Sequence, residues 1–104
     1  MTQPLTPDAC LVERMAAGDR GAGQELAERH RLSVYARVYA MLIDPGAAEQ
    51  VVVQTFDQAW RSAREFKASA ASPLAWLVGI ARGLAERRKR WMARSDSPIE
   101  PPRS

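Results

Sequence analysis

Hydrophobic and polar residues follow one another with the period of an α-helix in several segments of the chain. The segment from 20 to 43 shows this best, because large apolar residues recur at spacings of three and four. Its apolar positions are Leu26, Val34, Val38, Met41 and Leu42. Similar spacings occur after Asp44-Pro45 and after Ser72. No segment shows the period of two that is typical of a β-strand, so the pattern predicts an all-α protein.

The predicted helices begin at residues that are typical of helix N-termini. Thr6-Pro7-Asp8, Asp44-Pro45 and Ser72-Pro73 each place a capping side chain before a first-turn proline. The first helix is short, and we expect it to stop near Gly18. In the third helix the expected inward positions are Ala48, Val52, Phe56, Ala59 and Ala63. In the fourth they are Leu74, Leu77, Ile80, Ala81 and Leu84.

The length of 104 residues, with 46% hydrophobic and 26% charged residues, fits one globular domain. We expect an N-terminal arm at 1–7 and a compact bundle of about four helices at 8–93. The proline-rich segment 94–104 is expected to be a disordered tail or the start of an interdomain linker. A loop of about nine residues, 64–72, is expected between the third and fourth helices.

Several classes of function are excluded by what the sequence lacks. Its apolar stretches are too short to span a membrane, and the N-terminus has no apolar core of a secretory signal, so we expect a cytoplasmic protein that does not span a membrane. One histidine, His30, and one cysteine, Cys10, cannot supply a structural zinc site or a convincing catalytic dyad. Both are expected to be packing residues. We therefore expect no enzymatic activity, no bound metal and no cofactor.

The two halves of the chain carry opposite charge. Residues 1–60 hold five basic and eight acidic side chains, a net charge of −3, whereas residues 61–104 hold ten basic and four acidic ones, a net charge of +6. Six of the basic residues cluster near the end of the fourth helix: Arg82, Arg87, Arg88, Lys89, Arg90 and Arg94. Such a cluster is typical of nucleic-acid binding, but a solvated helix C-terminus and a membrane surface stay open as alternatives.

The third helix has a polar side that contains one apolar residue. Glu49, Gln50, Gln54 and Asp57 line this side, with Val53 among them, and no basic residue occurs between Leu42 and Trp60. The side is either a solvated face or a protein contact. Among the tryptophans, Trp60 is expected to close the core beside Phe56, and Trp76 to pack in the core. For Trp91, packing and stacking on a nucleic-acid base both stay open.

Four phrases in this order resemble region 2 of the extracytoplasmic-function (ECF) sigma factors, the group-four members of the bacterial sigma family. They are GDRGAGQELAERH, VYARVY, DPGAAEQVVVQTFDQAW and SPLAWLVGIARGLAERRKR. The resemblance covers roughly residues 8–92 and implies a compact helical bundle. It also implies two partners: the core RNA polymerase and the non-template strand of the minus-ten promoter element.

The resemblance assigns a role to two surfaces. In this family the third helix docks on the coiled coil of the clamp in the largest catalytic subunit of the polymerase. The positions that carry over are Glu49, Gln50, Val53, Gln54 and Asp57. The loop from Phe66 to Ser72 resembles the loop that captures a flipped base, and the fourth helix follows the strand. The expected DNA-binding residues are Phe66, Lys67, Ser69, Ser72, Arg82, Arg87, Arg88, Lys89 and Arg90.

The sequence departs from the family pattern at both surfaces. Where the family typically has AEDVVQETF this chain has AEQVVVQTF, so Gln50 and Gln54 replace acids and Val53 replaces a glutamine. Where the family has IARN this chain has IARG, with Gly83 in place of the asparagine. Loss of charge-assisted contacts weakens an interface, so weakened docking is one expectation.

Three hypotheses follow from these observations. The first is the promoter-melting domain of an ECF sigma factor, with the proline-rich end at a natural linker and region 4 outside this chain. The second is a single-domain sigma relative that binds a regulator such as an anti-sigma factor, with Val53 as a new apolar contact. The third is a helical module that binds nucleic acid without regard to sequence.

Overall fold

Four α-helices and one short 3-10 turn make up the computed structural model, which describes residues 6–95. The helices are α1 (Asp8–Ala16), α2 (Arg20–Leu42), α3 (Pro45–Arg61) and α4 (Pro73–Ser95), and the 3-10 turn is Ala63–Glu65. The described residues contain no strand, which confirms the all-α prediction. α4 includes Arg94 and Ser95, the first two residues of the predicted tail, and the rest of that tail lies outside the described residues.

Side-chain caps fix the start of three helices. Asp19 accepts a hydrogen bond from the N–H of Ala22 at 3.2 Å, and Asp44 accepts one from Ala47 at 2.9 Å. The hydroxyl of Ser72 accepts one from the N–H of Ala75 at 3.1 Å. These bonds satisfy donors that a helix N-terminus leaves free.

The predicted cap of α1 is wrong by one residue. Pro7 itself precedes the helix in an extended conformation, and no side chain caps this end. The backbone carbonyl of Thr6 instead accepts a hydrogen bond from the guanidinium of Arg29. The start of α1 is therefore held by a tertiary contact with α2 rather than by a local cap.

All four helices contribute to one core. Leu11, Leu26, Val51 and Leu77 are each fully buried and represent α1 to α4 in turn. α3 and α4 bury mostly small residues at this core, which lets their backbones approach closely: Ala47, Ala48, Ala59, Ala81 and Ala85. The inward positions predicted for α3 and α4 are fully or partly buried, with Phe56, Leu74, Ile80 and Leu84 only partly so.

A cluster of paired charges joins α1 to α2. Asp8 on α1 accepts hydrogen bonds from Arg29 at 2.9 Å and from His30 at 2.6 Å, and Arg29 also reaches Glu25 at 2.6 Å. Burial alone would raise the pKa of the Asp8 carboxyl, but the hydrogen bonds and charges of Arg29 and His30 outweigh it and lower this pKa. The hydrogen bond to Asp8 raises the pKa of the Arg29 guanidinium.

The structure gives different outcomes for the lone histidine and the lone cysteine. His30 is half-buried, as expected of a packing residue, and its ring nitrogen also contacts Asp8. Cys10 is exposed, so the expectation that it packs in the protein is wrong. The neighbouring positions Leu11 and Val12 form the buried side of α1, which leaves Cys10 on the outer side.

Trp60 closes one side of the core against α2. A Cβ atom built on Gly23 would lie 3.1 Å from the Trp60 ring, tighter than an ordinary contact, so a larger residue there would require the indole to shift by a few tenths of an ångström. The guanidinium of Arg20 lies 4.9 Å from the centre of the same indole, within cation–π distance. Phe56 and Trp60 are both partly buried and line the same depression.

Candidate interfaces for protein and nucleic acid

The five predicted polymerase-facing residues lie together on the outer face of α3. Glu49, Gln50, Val53 and Gln54 border one shallow depression together with Gly46. Asp57 lies one turn beyond Val53 and forms an exposed salt bridge with Arg61 at 2.7 Å. Within residues 6–95, Glu49 makes no salt bridge, so its charge is free to meet an outside partner.

An apolar groove that the sequence did not predict adjoins this face. Its walls are Arg31, Leu32 and Tyr35 from α2 and Glu49, Val52 and Val53 from α3. The side chains of Leu32 and Val53 are 77% and 69% exposed, respectively, which is unusual for large aliphatic residues. Leu32 lies two positions before Val34 and six before Val38, so it does not share their face of α2. This spacing was the signal in the sequence that Leu32 lies outside the core.

Four of the predicted DNA-binding residues lie in the loop between the 3-10 turn and α4. Two of them anchor the loop, and the other two are exposed. Phe66 is half-buried and packs on Trp76, with 5.1 Å between the ring centres, and Ser72 caps α4. Lys67 and Ser69 are exposed. A turn within the loop is closed by a hydrogen bond from the N–H of Ala70 to the carbonyl of Lys67 at 2.9 Å. The loop is therefore anchored at both ends and exposed in the middle.

The basic residues of α4 do not all face the same way. At about 100° per residue, Arg82 and Lys89 fall within roughly 20° of each other on the outer side, with Arg90 beside them. Arg88 continues the stripe of Leu77, Ala81 and Ala85 and is half-buried. Its guanidinium lies 5.3 Å from the centre of the Trp91 ring, and its buried Nε has no hydrogen-bond partner in the described part of the chain.

Trp76 and Trp91 differ in burial. Trp76 is partly buried and packs against the core, as predicted. Trp91 is 53% exposed and is covered on one face by Arg88. The exposed indole therefore lies among the basic residues at the C-terminal end of α4.

The basic residues of α4 form no salt bridge with any residue from 6 to 95. Among residues 6–95 the structure has five salt bridges, and all of them join side chains between Asp8 and Arg61. The cations of α4 therefore have no carboxylate partner within these residues, even though Glu86 lies on the same helix. This distribution leaves a surface whose positive charge is available to an anion.

Residues 6–95 contain neither a metal-binding cluster nor a helix that could span a membrane. In the described part of the chain, no group of three or more His, Cys, Asp or Glu side chains could hold a metal ion. Over the same residues, no helix is both long enough and apolar enough to cross a membrane.

The chain is similar to proteins of one family. A family model described as Sigma-70 region 2 matches residues 26–94. Among curated proteins, the ECF RNA polymerase sigma factor SigK of Mycobacterium sp. (strain KMS) is 38% identical over 96 residues, which cover 86% of this chain and 50% of that protein. SigK of Mycobacterium tuberculosis (strain ATCC 25618 / H37Rv) is 34% identical over 80 residues, 77% of this chain and 43% of its own length. The chain thus spans about half the length of these relatives.

One solved structure has the same arrangement of helices. It is the NMR structure of an engineered region 2 of sigmaE in complex with GTAAAA, and it aligns with a TM-score of 0.81 and 29% sequence identity. The alignment covers 93% of this chain and 99% of that chain. The helices described above therefore share their arrangement with nearly the whole of that region 2 structure.

Proposed function

The chain belongs to the sigma-70 region 2 family and is of the ECF type, and from this premise we propose that it docks on core RNA polymerase and recognises and melts the minus-ten promoter element. The observation that carries the proposal is the separation of charge between two surfaces. The outer face of α3 bears Glu49 and Asp57, and α3 itself has no basic residue before Arg61 at its end, while Arg31 of α2 lies beside Glu49 at the adjoining groove. The outer side of α4 bears basic residues that have no carboxylate partner within residues 6–95.

In the proposed docking, α3 binds the coiled coil of the clamp in the largest catalytic subunit. The contact residues are Glu49, Gln50, Val53, Gln54 and Asp57. An acidic and neutral face favours a basic partner surface and disfavours DNA, because like charges repel. Since Gln50 and Gln54 lack the charge that the family typically has there, the contact relies more on Glu49, Asp57 and the exposed side chain of Val53.

In the proposed DNA contact, the loop 66–72 holds one unstacked base and α4 holds the strand that continues from it. Support comes from the anchoring of this loop by Phe66 on Trp76 and by Ser72 on α4, since a rigid loop loses little entropy when it binds. It also comes from the related sigmaE region 2, whose structure contains GTAAAA. The contact residues are Phe66, Lys67, Ser69, Ser72, Arg82, Arg87, Arg88, Lys89 and Arg90.

Melting then needs no catalysis by this chain. Extruding a base from a duplex costs a few kcal/mol, and phosphate contacts that release counterions offset this cost. Only single-stranded DNA presents an unstacked base to the loop, so binding shifts the equilibrium towards the open strand. The loop would supply sequence preference, whereas the basic residues of α4 would supply affinity that depends on salt.

The docking half of the proposal is tested with the isolated clamp coiled coil of the host polymerase. It is titrated against the 104-residue chain and against a Gln50→Asp, Val53→Gln, Gln54→Glu variant that restores the family residues. Arg87→Ala serves as a control, because it changes α4 and leaves α3 intact. We expect the native chain to bind, the restored variant to bind more tightly and the control to bind like the native chain.

Three results would contradict the docking proposal. If only the restored variant binds, the native chain has lost its affinity for polymerase, and a regulator such as an anti-sigma factor becomes the partner to seek. If neither binds, the outer face of α3 is not a docking surface for the coiled coil. If Arg87→Ala also abolishes binding, the coiled coil contacts α4 instead.

A further inference from the structure

A second groove, between α2 and α4, has a lining that differs from that of the α3 face. We name it the α2–α4 groove, and its volume is about 380 Å³. Its lining residue from α2 is Arg37. The others are Ser72, which precedes α4, and Leu74, Ala75, Val78, Gly79 and Arg82 of α4. Of this set, Ser72 and Arg82 are expected DNA-binding residues and Leu74 is an expected inward position, whereas Arg37 has no expected role.

The charge of the α2–α4 groove selects an anion. Arg37 and Arg82 are its only charged lining residues, and both are exposed. Neither makes a salt bridge with any residue from 6 to 95, whereas Arg29 on the same helix as Arg37 is fully paired with Asp8 and Glu25. Two guanidinium groups at one groove without a carboxylate are suited to a phosphate, which they bind through planar, charge-assisted hydrogen bonds.

The floor of the groove suits a flat group that lies against the helix. Ala75 and Gly79 lie one turn apart on the outer side of α4, and Leu74 and Val78 flank them. A Cβ atom built on Gly79 would meet nothing within 4 Å, so no packing contact within the described residues requires glycine there. Glycine in a helix interior costs about 1 kcal/mol relative to alanine. A ligand that approaches the backbone closely would explain its presence.

The position of the groove links it to the proposed DNA path. Ser72 is the last residue of the loop that would hold the unstacked base, and Arg82 lies ten residues further along α4, or about 15 Å at 1.5 Å per residue. Lys89 follows Arg82 on the same side of the helix. A strand that leaves the loop and runs towards the basic end of α4 would therefore pass over Gly79.

We infer that the α2–α4 groove is a nucleotide subsite for single-stranded DNA. A phosphate lies between Arg37 and Arg82, and the adjoining sugar or base lies on the surface of Val78 and Gly79. This inference rests on the proposed function and adds α2 to the DNA-binding surface. Arg37 then contributes affinity through the phosphate, and Gly79 contributes the space that the nucleotide occupies.

The first test compares two arginines of α2. Arg37→Ala is matched with Arg31→Ala, since Arg31 is also exposed but lines the apolar groove on the α3 side. Binding of the fluorescently labelled single strand GTAAAA is measured by anisotropy at several salt concentrations. We expect Arg37→Ala to weaken binding about tenfold and to lower the salt slope by about 0.7, the value for one phosphate contact on a single strand. Arg31→Ala is expected to stay within about twofold of the native chain.

The second test fills the groove without removing charge. Because a Cβ atom at Gly79 would meet nothing within 4 Å and leucine is a better helix former than glycine, Gly79→Leu is expected to fold and to melt at a temperature no lower than that of the native chain. We expect it to weaken binding of the same strand at least fivefold. An excess of inorganic phosphate or of a mononucleotide is expected not to displace the strand, since each offers only one of the contacts.

The outcomes distinguish failure of the groove inference from failure of the proposed function. If the native chain binds the strand and both Arg37→Ala and Gly79→Leu bind equally well, the groove inference is wrong while the proposed function stands. If Arg37→Ala and Arg31→Ala weaken binding of the strand equally, the effect comes from the net charge of the protein, and the inference is wrong too. Displacement by phosphate or by a mononucleotide would assign the groove to a small free anion. If the native chain binds no single strand, the proposed function fails first and the inference fails with it.

Discussion

The junction of α1 with α2 and the outer side of α4 are both rich in charged residues, but they differ in how the charges are neutralised. At the junction, Asp8, Arg29, His30 and Glu25 contact one another through hydrogen bonds of 2.6 to 2.9 Å. Along α4, the basic residues have no carboxylate partner within residues 6–95. The first group is suited to hold two helices together, and the second is suited to bind an anion.

The pairing of the charged residues, more than their number, therefore distinguishes structural residues from binding residues. A paired and partly buried charge contributes to stability, and its loss leaves a partner without a hydrogen bond. An unpaired exposed cation contributes little to folding and is attracted to a polyanion. Substitutions at the junction should therefore change stability, and substitutions on α4 should change binding.

The largest effect is expected for substitution of Trp60, and the exposed Trp91 is its counterpart on α4. Trp60 packs against Arg20 and Gly23, so Trp60→Ala should lower the free energy of unfolding by about 3 kcal/mol. Trp91 is 53% exposed, so Trp91→Ala should cost less than about 1 kcal/mol. Urea denaturation followed by circular dichroism measures both. Equal losses for the two variants would show that exposure does not distinguish their roles.

The next effect concerns the unpaired cations of α4. An Arg87→Ala, Arg88→Ala variant should bind the single strand about fiftyfold more weakly, because two charge-assisted phosphate contacts are lost. The salt slope should fall by about 1.4 in total. Arg14→Ala is the control, since Arg14 is already paired with Asp19 at 3.3 Å. Unchanged affinity in the double variant would remove the C-terminal part of α4 from the proposed interface.

The smallest effect is a pH dependence at the paired junction. The pKa of Asp8 in the folded protein lies below its ordinary value of 3.8, so the carboxylate stabilises the fold at higher pH. This stability is fully present above the unfolded-state pKa and is lost as the pH falls through the folded-state pKa. The native chain should exceed Asp8→Asn in unfolding free energy by about 1 kcal/mol near neutral pH.

Denaturation of both proteins from pH 6 down to pH 2 checks this prediction. The two curves should converge at low pH, because protonation of Asp8 in the native chain then resembles the asparagine substitution. A constant difference across this range would mean that the charge of Asp8 does not carry the effect. No change in single-strand affinity is expected for Asp8→Asn at neutral pH.

Much of the fold followed from local patterns in the sequence. The stripe of Leu26, Val34 and Val38 and the caps at Asp44 and Ser72 gave the helices and their inward faces, because both depend on residues a few positions apart. The grouping of Glu49, Gln50, Val53, Gln54 and Asp57 on one face followed from the same period. The resemblance of the motifs to ECF region 2 gave the family.

The contacts between helices could not be predicted in the same way. The bonds of Asp8 to Arg29 and His30 join residues more than twenty positions apart, and helical period does not indicate which helix lies next to which. For the same reason, the sequence did not indicate that Arg37 lies at a groove with Arg82, or that Leu32 lies beside Val53. The exposure of Cys10 does not follow from the sequence, because a small apolar residue near a helix boundary fits either side.

The proposed function depends most on the binding of single-stranded DNA by the unpaired cations of α4. Its most direct test is the affinity of the native chain for the single strand GTAAAA, measured from low to high salt and compared with the duplex of the same sequence. We expect preference for the single strand and a linear fall of log affinity with log salt, with a slope of about −3 for four to five phosphate contacts. A slope near zero, or equal affinity for the duplex, would contradict this expectation.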